Sequence, residues 1–232
     1  MTVILVTGGN RGIGNAIVHA AGSRVCDATV LVGCRSLENA DESIKNLKEL
    51  GVLAKLEPLR ITVTDDTSVI TAVRTVQERY GKLDVLINNA GSFLCQTSQY
   101  LVTKAFLPLL HKAEWGRMIM ISSSRGSLAR NKCLEMPPTQ HMMYNCSKAA
   151  LNLMTIEFRN AEIREVANEM NRITFWAANP GYCKTAFNNF RGIKDALEGA
   201  EVTARLLESR RTEVPSGTFW EFEQGNFQQV PW

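Results

Sequence analysis

Apolar and polar positions along the chain follow two periods in alternation. Short apolar runs rich in β-branched residues end in glycine or small polar residues, which is typical of buried parallel strands. Longer segments with apolar residues three and four positions apart are typical of amphipathic helices. We predict strands at residues 2–7, 28–33, 53–61, 85–87, 117–121, 173–177 and 218–222, and helices at 12–24, 37–50, 67–80, 100–110 and 144–160.

This alternation predicts an α/β fold with three layers, a doubly wound, mostly parallel, seven-stranded sheet covered by helices on both faces. Pro58 interrupts the third strand and leaves its register open. Asp66 or Thr67 is expected to cap the helix that ends before Gly81. Since no repeat, low-complexity tract or linker interrupts the pattern, we expect residues 1–232 to form one domain.

Composition narrows the classes of function. The chain of 232 residues is 45% hydrophobic and 21% charged, as is ordinary for a globular protein, and its net charge of +3 is scattered and does not favour nucleic-acid binding. No apolar run has membrane-spanning length, and a strand that begins at Thr2 leaves no room for a leader, so we expect a cytoplasmic protein with no membrane partner. The six cysteines lack paired CxxC spacing and lie apart from the histidines, so we expect no metal site.

The polar and glycine residues of interest follow predicted strands. In doubly wound sheets ligands bind outside the carboxyl ends of the strands, where the strand order reverses. Gly8, Arg35, Asn89, Ser123 and Pro180 each come just after a strand. We therefore expect them to meet at one edge of the sheet.

The first turn has the chemistry of a dinucleotide site. Gly8, Gly12 and Gly14 have the spacing GxxxGxG between a strand and a helix. Absent side chains let backbone N–H groups approach a pyrophosphate, and the helix N-terminus favours the anion. Arg11 in this turn and Arg35 after the second strand suit a ribose 2′-phosphate, so NADP(H) is favoured over NAD(H). The alternative is that Arg35 only points into solvent.

A second group of residues can move a proton. Tyr144 and Lys148 lie one turn apart on the predicted helix 144–160. An ammonium near a phenol favours the phenolate, so we expect a lowered pKa for Tyr144 and a role as general acid in ketone reduction. Ser123 can hydrogen-bond the substrate oxygen as charge develops on it.

In combination these motifs resemble the short-chain dehydrogenase/reductase family over essentially the whole chain. The matching stretches are TGGNRGIG (7–14), NNAG (88–91), ISSSRG (121–126), YNCSK (144–148) and NPGYCKT (179–185), and residues 216–232 are similar to the carbonyl-reductase-like branch. The resemblance implies a Rossmann-type fold and NADP(H)-dependent reduction of a small-molecule substrate, a ketone or an aldehyde. A homo-oligomer is compatible with it. It implies catalytic roles for Ser123, Tyr144 and Lys148. It also implies cofactor contacts from Gly8, Asn10, Arg11, Gly12, Ile13, Gly14, Arg35, Thr62, Val63, Asn89, Ala90, Gly91, Tyr144, Lys148, Pro180, Gly181, Cys183 and Thr185.

The chain departs from the family pattern at three places. The acid that the family carries near the adenine falls on Thr62, with Asp65 close behind. The stretch between Ser123 and Tyr144 is long. Residues 92–99 replace a longer family segment, and Cys95 falls where the family has an asparagine that holds a proton-relay water. Three interpretations stay open: an enzyme with a modified relay, an impaired relative that binds nucleotide as a scaffold, or a truncated variant. Other chemistry on a specialised metabolite at the same site is a further alternative.

Overall fold

The structure is a computed structural model that describes residues 1–91, 97–139 and 141–232. Cys95 and most of the segment 92–99 lie outside the described residues. The strands are β1 (Thr2–Thr7), β2 (Ala28–Cys34), β3 (Lys55–Arg60), β4 (Val85–Asn88), β5 (Arg117–Ile121), β6 (Thr174–Asn179), β7 (Thr218–Glu223) and β8 (Asn226–Gln229). The helices are α1 (Gly12–Arg24), α2 (Leu37–Glu49), α3 (Asp66–Tyr80), α4 (Thr97–Leu110), α5 (Leu128–Lys132), α6 (Met142–Glu165) and α7 (Ala196–Glu208). Short 3₁₀ segments lie at Ser124–Gly126, Glu169–Asn171 and Ala186–Asn188.

Within the described residues all strands form one sheet in the order β3-β2-β1-β4-β5-β6-β7-β8. Each pair from β3 to β7 is parallel, and only β7 and β8 are antiparallel. The strand order reverses between β1 and β4, which opens a crevice at their carboxyl ends. The expected Rossmann-type α/β fold is therefore confirmed.

The sheet has eight strands in the described part of the chain, so the predicted count of seven is wrong by one. The additional strand, β8, is short, polar and mostly exposed, and gives no apolar signal. A two-residue turn at Gln224 and Gly225 joins it to β7, and both residues have positive φ, 50° and 81°. This is the backbone of a tight hairpin turn, whose twist matches that of the flanking strands.

The helices cover the sheet on both faces. One apolar core joins the sheet to α1, α2 and α7 and includes Ile17, Leu47 and Leu206. A second core on the opposite face joins it to α3, α4 and α6 and includes Phe106 and Leu151. The strands between them are buried on both sides, which explains their continuous apolar runs.

Several element boundaries differ from the sequence-based expectation. Asp65 caps α3, since its carboxylate accepts N–H bonds from residues 67 and 68, so the expected caps Asp66 and Thr67 are wrong. Helix α6 begins at Met142, before Tyr144, and runs to Glu165. Strand β3 is an edge strand in which Pro58 pairs opposite Val32, which explains why a proline is tolerated there. No helix among the described residues is both long and apolar enough to cross a membrane.

Candidate active site

Hydrogen bonds join the carboxyl ends of β1 and β4 at the point where the strand order reverses. The Thr7 hydroxyl Oγ1 accepts the backbone N–H groups of Asn89 and Ala90, at 3.0 and 3.1 Å. The Asn89 amide Nδ2 donates in return to the carbonyls of Thr7 and Gly8, at 2.9 and 3.2 Å. The structure thus brings the NNAG stretch against the first glycine turn.

Backbone angles at Gly8 and Gly12 and close contacts at Gly14 explain why glycines occupy this turn. Gly8 and Gly12 have φ angles of +65° and +56°, which favour glycine. A Cβ on Gly14 would lie 2.1 Å from the Gly8 carbonyl oxygen and 2.5 Å from Asn89 Nδ2. Gly14 therefore closes the turn, and Gly12 faces outward toward Thr185, 3.6 Å from where its Cβ would be.

The N-terminus of α1 is suited to an anion. Its N-cap residue, Arg11, makes no side-chain capping bond, so the first N–H groups of the helix stay available. Arg11 and Arg35 are both exposed, and Arg35 directly follows β2. A dinucleotide pyrophosphate fits an uncapped helix end behind a glycine turn, and the two guanidinium groups fit a further phosphate.

Thr62 and Val63 follow β3 at the same edge of the sheet, and both are partly buried. The backbone N–H of Thr62 donates to Ser68 Oγ at 2.9 Å, which ties this turn to α3. Asp65 is engaged in capping α3. Its Oδ1 accepts the backbone N–H groups of residues 67 and 68, so this carboxylate serves as a helix cap.

The structure distinguishes the three neighbouring serines after β5. Ser122 is buried, and its hydroxyl donates to Asn152 Oδ1 on α6 at 2.5 Å. Ser124 begins a 3₁₀ turn. Ser123 Oγ accepts the backbone N–H of Arg125 at 3.3 Å and is hydrogen-bonded to Tyr144. Ser123 is thus the serine that meets the tyrosine.

Tyr144 and Lys148 lie near the beginning of α6. The Lys148 ammonium Nζ lies 5.7 Å from the centroid of the Tyr144 ring. It donates to the carbonyl of Ile121, the last residue of β5, at 2.9 Å. Gly126 packs directly on the Lys148 backbone, since a Cβ there would be 2.5 Å from the Lys148 carbonyl carbon. The three residues Ser123, Tyr144 and Lys148 therefore form one cluster.

Burial dominates the titration of this cluster. It raises the pKa of the Tyr144 phenol above its ordinary value, although the hydrogen bond to Ser123 and the Arg125 guanidinium oppose this. The expected lowering of the Tyr144 pKa is therefore wrong for the protein alone. Burial also lowers the pKa of Lys148 from 10.5 to about 8. Both shifts have the same cause, because a poorly hydrated site disfavours phenolate and ammonium alike.

The residues of the loop after β6 have different orientations. Pro180 and Cys183 are buried, and the Cys183 thiol donates to the Pro180 carbonyl at 3.1 Å. Burial raises the pKa of this thiol to about 11. A Cβ on Gly199 of α7 would lie 2.3 Å from Cys183 Sγ, so the side chain points into the fold and leaves only backbone for a ligand. Thr185, by contrast, lies against the glycine turn.

Sequence reasoning missed two residues of this edge. Thr7 connects β1 to β4, and a threonine that ends a buried strand before glycines was an available signal. Arg125 lies near enough to influence the pKa of Tyr144, and its position two residues after Ser123 was visible in the motif.

No group of three or more potential metal ligands occurs among the residues that the structure describes.

Comparisons with known proteins agree with this geometry. A family model described as short chain dehydrogenase matches residues 2–195. A short-chain dehydrogenase/reductase of Aspergillus fumigatus is 32% identical over 259 aligned positions, which cover 99% of this chain and 97% of the relative. The aligned length exceeds the 232 residues of the chain, so the relative has residues without a counterpart here.

Two further similar proteins are named for their activities. The 3-oxoacyl-[acyl-carrier-protein] reductase of Escherichia coli is 28% identical over 201 positions, with 79% of this chain and 74% of that protein covered. Among solved structures, NADPH-bound carbonyl reductase from chicken fatty liver superposes with a TM-score of 0.78 and 27% identity, covering the whole of both chains. The likeness thus extends to an enzyme with bound NADPH.

Proposed function

Because this chain belongs to the short-chain dehydrogenase family, we propose that it is an NADPH-dependent oxidoreductase that reduces a ketone or aldehyde to an alcohol. The observation that carries the proposal is the cluster of Ser123, Tyr144 and Lys148 at the same edge of the sheet as the glycine turn. Hydrogen-bonded Ser123 and Tyr144 can face one substrate oxygen, and the Lys148 ammonium lies over the phenol. We also propose one domain over residues 1–232, since every described strand joins one sheet.

The protein side of the reaction follows from these contacts. When bound, the dinucleotide supplies the hydride that adds to the carbonyl carbon. Ser123 accepts the Arg125 N–H and is hydrogen-bonded to Tyr144. When substrate binds, its hydroxyl proton turns to the substrate oxygen beside the phenol. Tyr144 transfers its phenolic proton to that oxygen as negative charge develops there. Lys148, with a pKa of about 8, is protonated at neutral pH and stabilises the phenolate that remains.

The raised pKa of Tyr144 keeps the phenol in the protonated form that carbonyl reduction uses. A phenol with an elevated pKa is protonated at neutral pH and is ready to act as an acid. Alcohol oxidation would need the phenolate instead, and its fraction grows as the pH rises. We therefore expect reductase activity to be retained at neutral pH and to fall on the alkaline side.

The choice of NADPH rests on charge. Arg11 and Arg35 are exposed at the ends of the glycine turn and of β2, and neither position carries an acid that would accept from a ribose 2′-hydroxyl. Arginine pairs bidentately with phosphate. The NADPH bound in the chicken carbonyl reductase supports the same choice.

The catalytic assignment is tested with Tyr144→Phe. Purified wild-type protein should oxidise NADPH when members of a panel of ketones and aldehydes are added. The reaction is measured as loss of absorbance at the nicotinamide band. Tyr144→Phe should lower kcat by about 100-fold or more because the proton donor is lost, while NADPH still binds. Tyr80→Phe is the matched control, since Tyr80 also hydrogen-bonds, to Glu57 at 2.6 Å, but on another element. If NADPH binds and no carbonyl is reduced, the protein is a nucleotide-binding scaffold instead.

Cofactor choice is tested with Arg35→Asp. Loss of one charged hydrogen bond to phosphate costs about 1.5–3 kcal/mol, so the Kd for NADPH should rise about 10- to 100-fold while that for NADH falls. Arg164→Asp makes the same change of charge at the far end of α6 and should leave both affinities unaltered. Equal effects of both variants would contradict the assignment of Arg35.

A further inference from the structure

Glu221 on β7 is a buried carboxylate with three hydrogen-bonding side chains around it. It is 2% exposed. Arg130 donates to both of its oxygens, at 2.9 and 2.6 Å, Gln228 donates to Oε1 at 2.8 Å, and Asn179 donates to Oε2 at 2.9 Å. Burial raises the pKa of the carboxyl, but these donors more than offset it, so the net pKa is lowered and Glu221 is ionised. We name these four residues the Glu221 network.

One arm of the network leads to the loop after β6. The Asn179 side chain donates to Glu221 with Nδ2, and with Oδ1 it accepts the backbone N–H of Gly181 at 3.1 Å. Gly181 has a φ angle of +82°, so this bond holds a turn that favours glycine. The turn continues to Thr185, which lies against the glycine turn at Gly12. The amide of Asn179 is thus fixed at both ends.

The other arm leads to α5, which follows Ser123 and the 3₁₀ turn. Arg130 lies on this five-residue helix. Ser127 caps the helix and donates its hydroxyl proton to the Pro231 carbonyl at 2.6 Å, and Ala129 N–H donates to the Trp232 carbonyl at 2.9 Å. A helix this short is not stable by itself, so its position depends on these contacts. Arg130 is therefore one of the groups that hold α5 beside the serine.

We propose that Glu221 is a positioning residue that couples the loop after β6, which faces the cofactor turn, to α5, which flanks Ser123. This rests on the proposed function for its catalytic readout. Arg130 on α5 and Asn179 at the end of β6 bind the same carboxylate, so weakening the bond to one residue changes how firmly the other is held. Glutamine at this position keeps the shape but offers one acceptor oxygen and adds two donors, which Arg130, Asn179 and Gln228 cannot accommodate together.

A double-mutant cycle in kcat/KM tests the coupling. Arg130→Met, Asn179→Ala and the double variant are compared with wild type for the reduction of one carbonyl substrate with NADPH. In the wild-type background, kcat/KM of the double variant should differ by about tenfold from the product of the two single effects. In a Glu221→Gln background, the double variant should equal that product. A purely structural role would lower stability but would not remove the coupling when Glu221 is replaced. Independent effects in the wild-type background would overturn the proposal.

A second readout needs no activity. Hydrogen–deuterium exchange of the protein without cofactor should become faster at residues 127–133 and at 180–185 in Glu221→Gln. Glu201→Gln is the matched control, because Glu201 also holds an arginine, Arg24, with both oxygens, but between α7 and α1. It should change neither segment. Faster exchange at one segment only, or at neither, would overturn the coupling.

The two proposals fail separately. If wild-type protein reduces no carbonyl, the proposed function is wrong, whereas the exchange experiment still decides whether Glu221 couples α5 to the loop after β6. If Glu221→Gln does not fold, Arg130→Lys replaces it, since lysine keeps the charge but cannot bind both carboxylate oxygens as a fork. Arg130→Lys should then speed exchange at both segments, and unchanged exchange at 180–185 would contradict the proposal.

Discussion

Replacement of Lys148 by methionine should stabilise the folded protein relative to wild type at neutral pH, and this advantage should shrink at alkaline pH. The variant should lose its catalytic activity. Burial lowers the pKa of Lys148 from 10.5 to about 8. At 1.36 kcal/mol per pKa unit, keeping this ammonium charged in the folded state costs about 3 kcal/mol. The side chain keeps a minor exposed surface, so water screens part of this cost, and we take about 2 kcal/mol.

The sign of the pH dependence follows from proton binding. Between about pH 8 and pH 10.5 the unfolded chain holds the Lys148 proton and the folded chain does not, so the stability of wild-type protein rises with pH through this window. Below pH 8 both states are protonated and the full cost remains. Methionine has no proton to lose, so the advantage of Lys148→Met over wild type should shrink by about 2 kcal/mol from pH 7 to pH 10.

Loss of a hydrogen bond also changes the difference in unfolding free energy between Lys148→Met and wild type, by the same amount at every pH. Lys148→Met also removes the hydrogen bond from Nζ to the Ile121 carbonyl, which contributes about 1 kcal/mol. The net gain at pH 7 is therefore about 1 kcal/mol, and it becomes a net loss at pH 10. The variant should have no measurable reductase activity at either pH.

The assay is urea unfolding without cofactor at pH 7 and pH 10, followed by tryptophan fluorescence. Lys148→Arg is the control, because arginine stays charged in both states and does not titrate in this window. The difference in unfolding free energy between the methionine and arginine variants should be the same at both pH values. If the difference between Lys148→Met and wild type is also constant, the reasoning about the buried ammonium is refuted.

Two further predictions concern the cofactor turn and α3. Gly14→Ala should weaken NADPH binding by about tenfold or more, measured by nicotinamide fluorescence, because its Cβ would lie 2.1 Å from the Gly8 carbonyl oxygen. Gly51→Ala, at φ +85° with open space around it, should cost about 1 kcal/mol of stability and leave NADPH affinity unchanged, and an equal loss of affinity there would contradict the role of the turn. Asp65→Ala should cost about 1 kcal/mol in urea unfolding through loss of the N-cap, more than Asp66→Ala, and the reverse order would contradict the cap assignment.

The sequence predicted the parallel part of the fold well because its strands are buried on both faces. In β1 and β5 the polar residues stand only at the ends of the run and do not interrupt it, and the predicted bounds match the structure. Strand β8 lacks that signal, since it is polar and exposed and forms through the turn at Gln224 and Gly225. Helix α5 was missed because its stability comes from the distant residues Glu221 and Trp232.

The sequence predicted which residues form the candidate site better than it predicted their pKa values. The order of motifs was enough to bring Ser123, Tyr144 and Lys148 together. Their titration was not, because the pKa of Tyr144 depends on how completely the fold excludes water, which spacing along a helix does not encode. The role of Glu221 could not be predicted for a related reason. A single glutamate in a strand gives no local pattern from which its three partners in three other segments could be inferred.

The hydrogen bonds of Thr7 at the crevice also bear on the order of folding. They connect residues that are 80 to 83 positions apart in the chain. Strands β1, β2 and β3 are neighbours in both sequence and sheet, so they can associate early, with little loop to close. The crevice, by contrast, lies between β1 and β4 and is incomplete until β4 pairs with β1. The glycine turn is thus encoded in the first 14 residues, yet it becomes a binding site only after a late, long-range step of assembly.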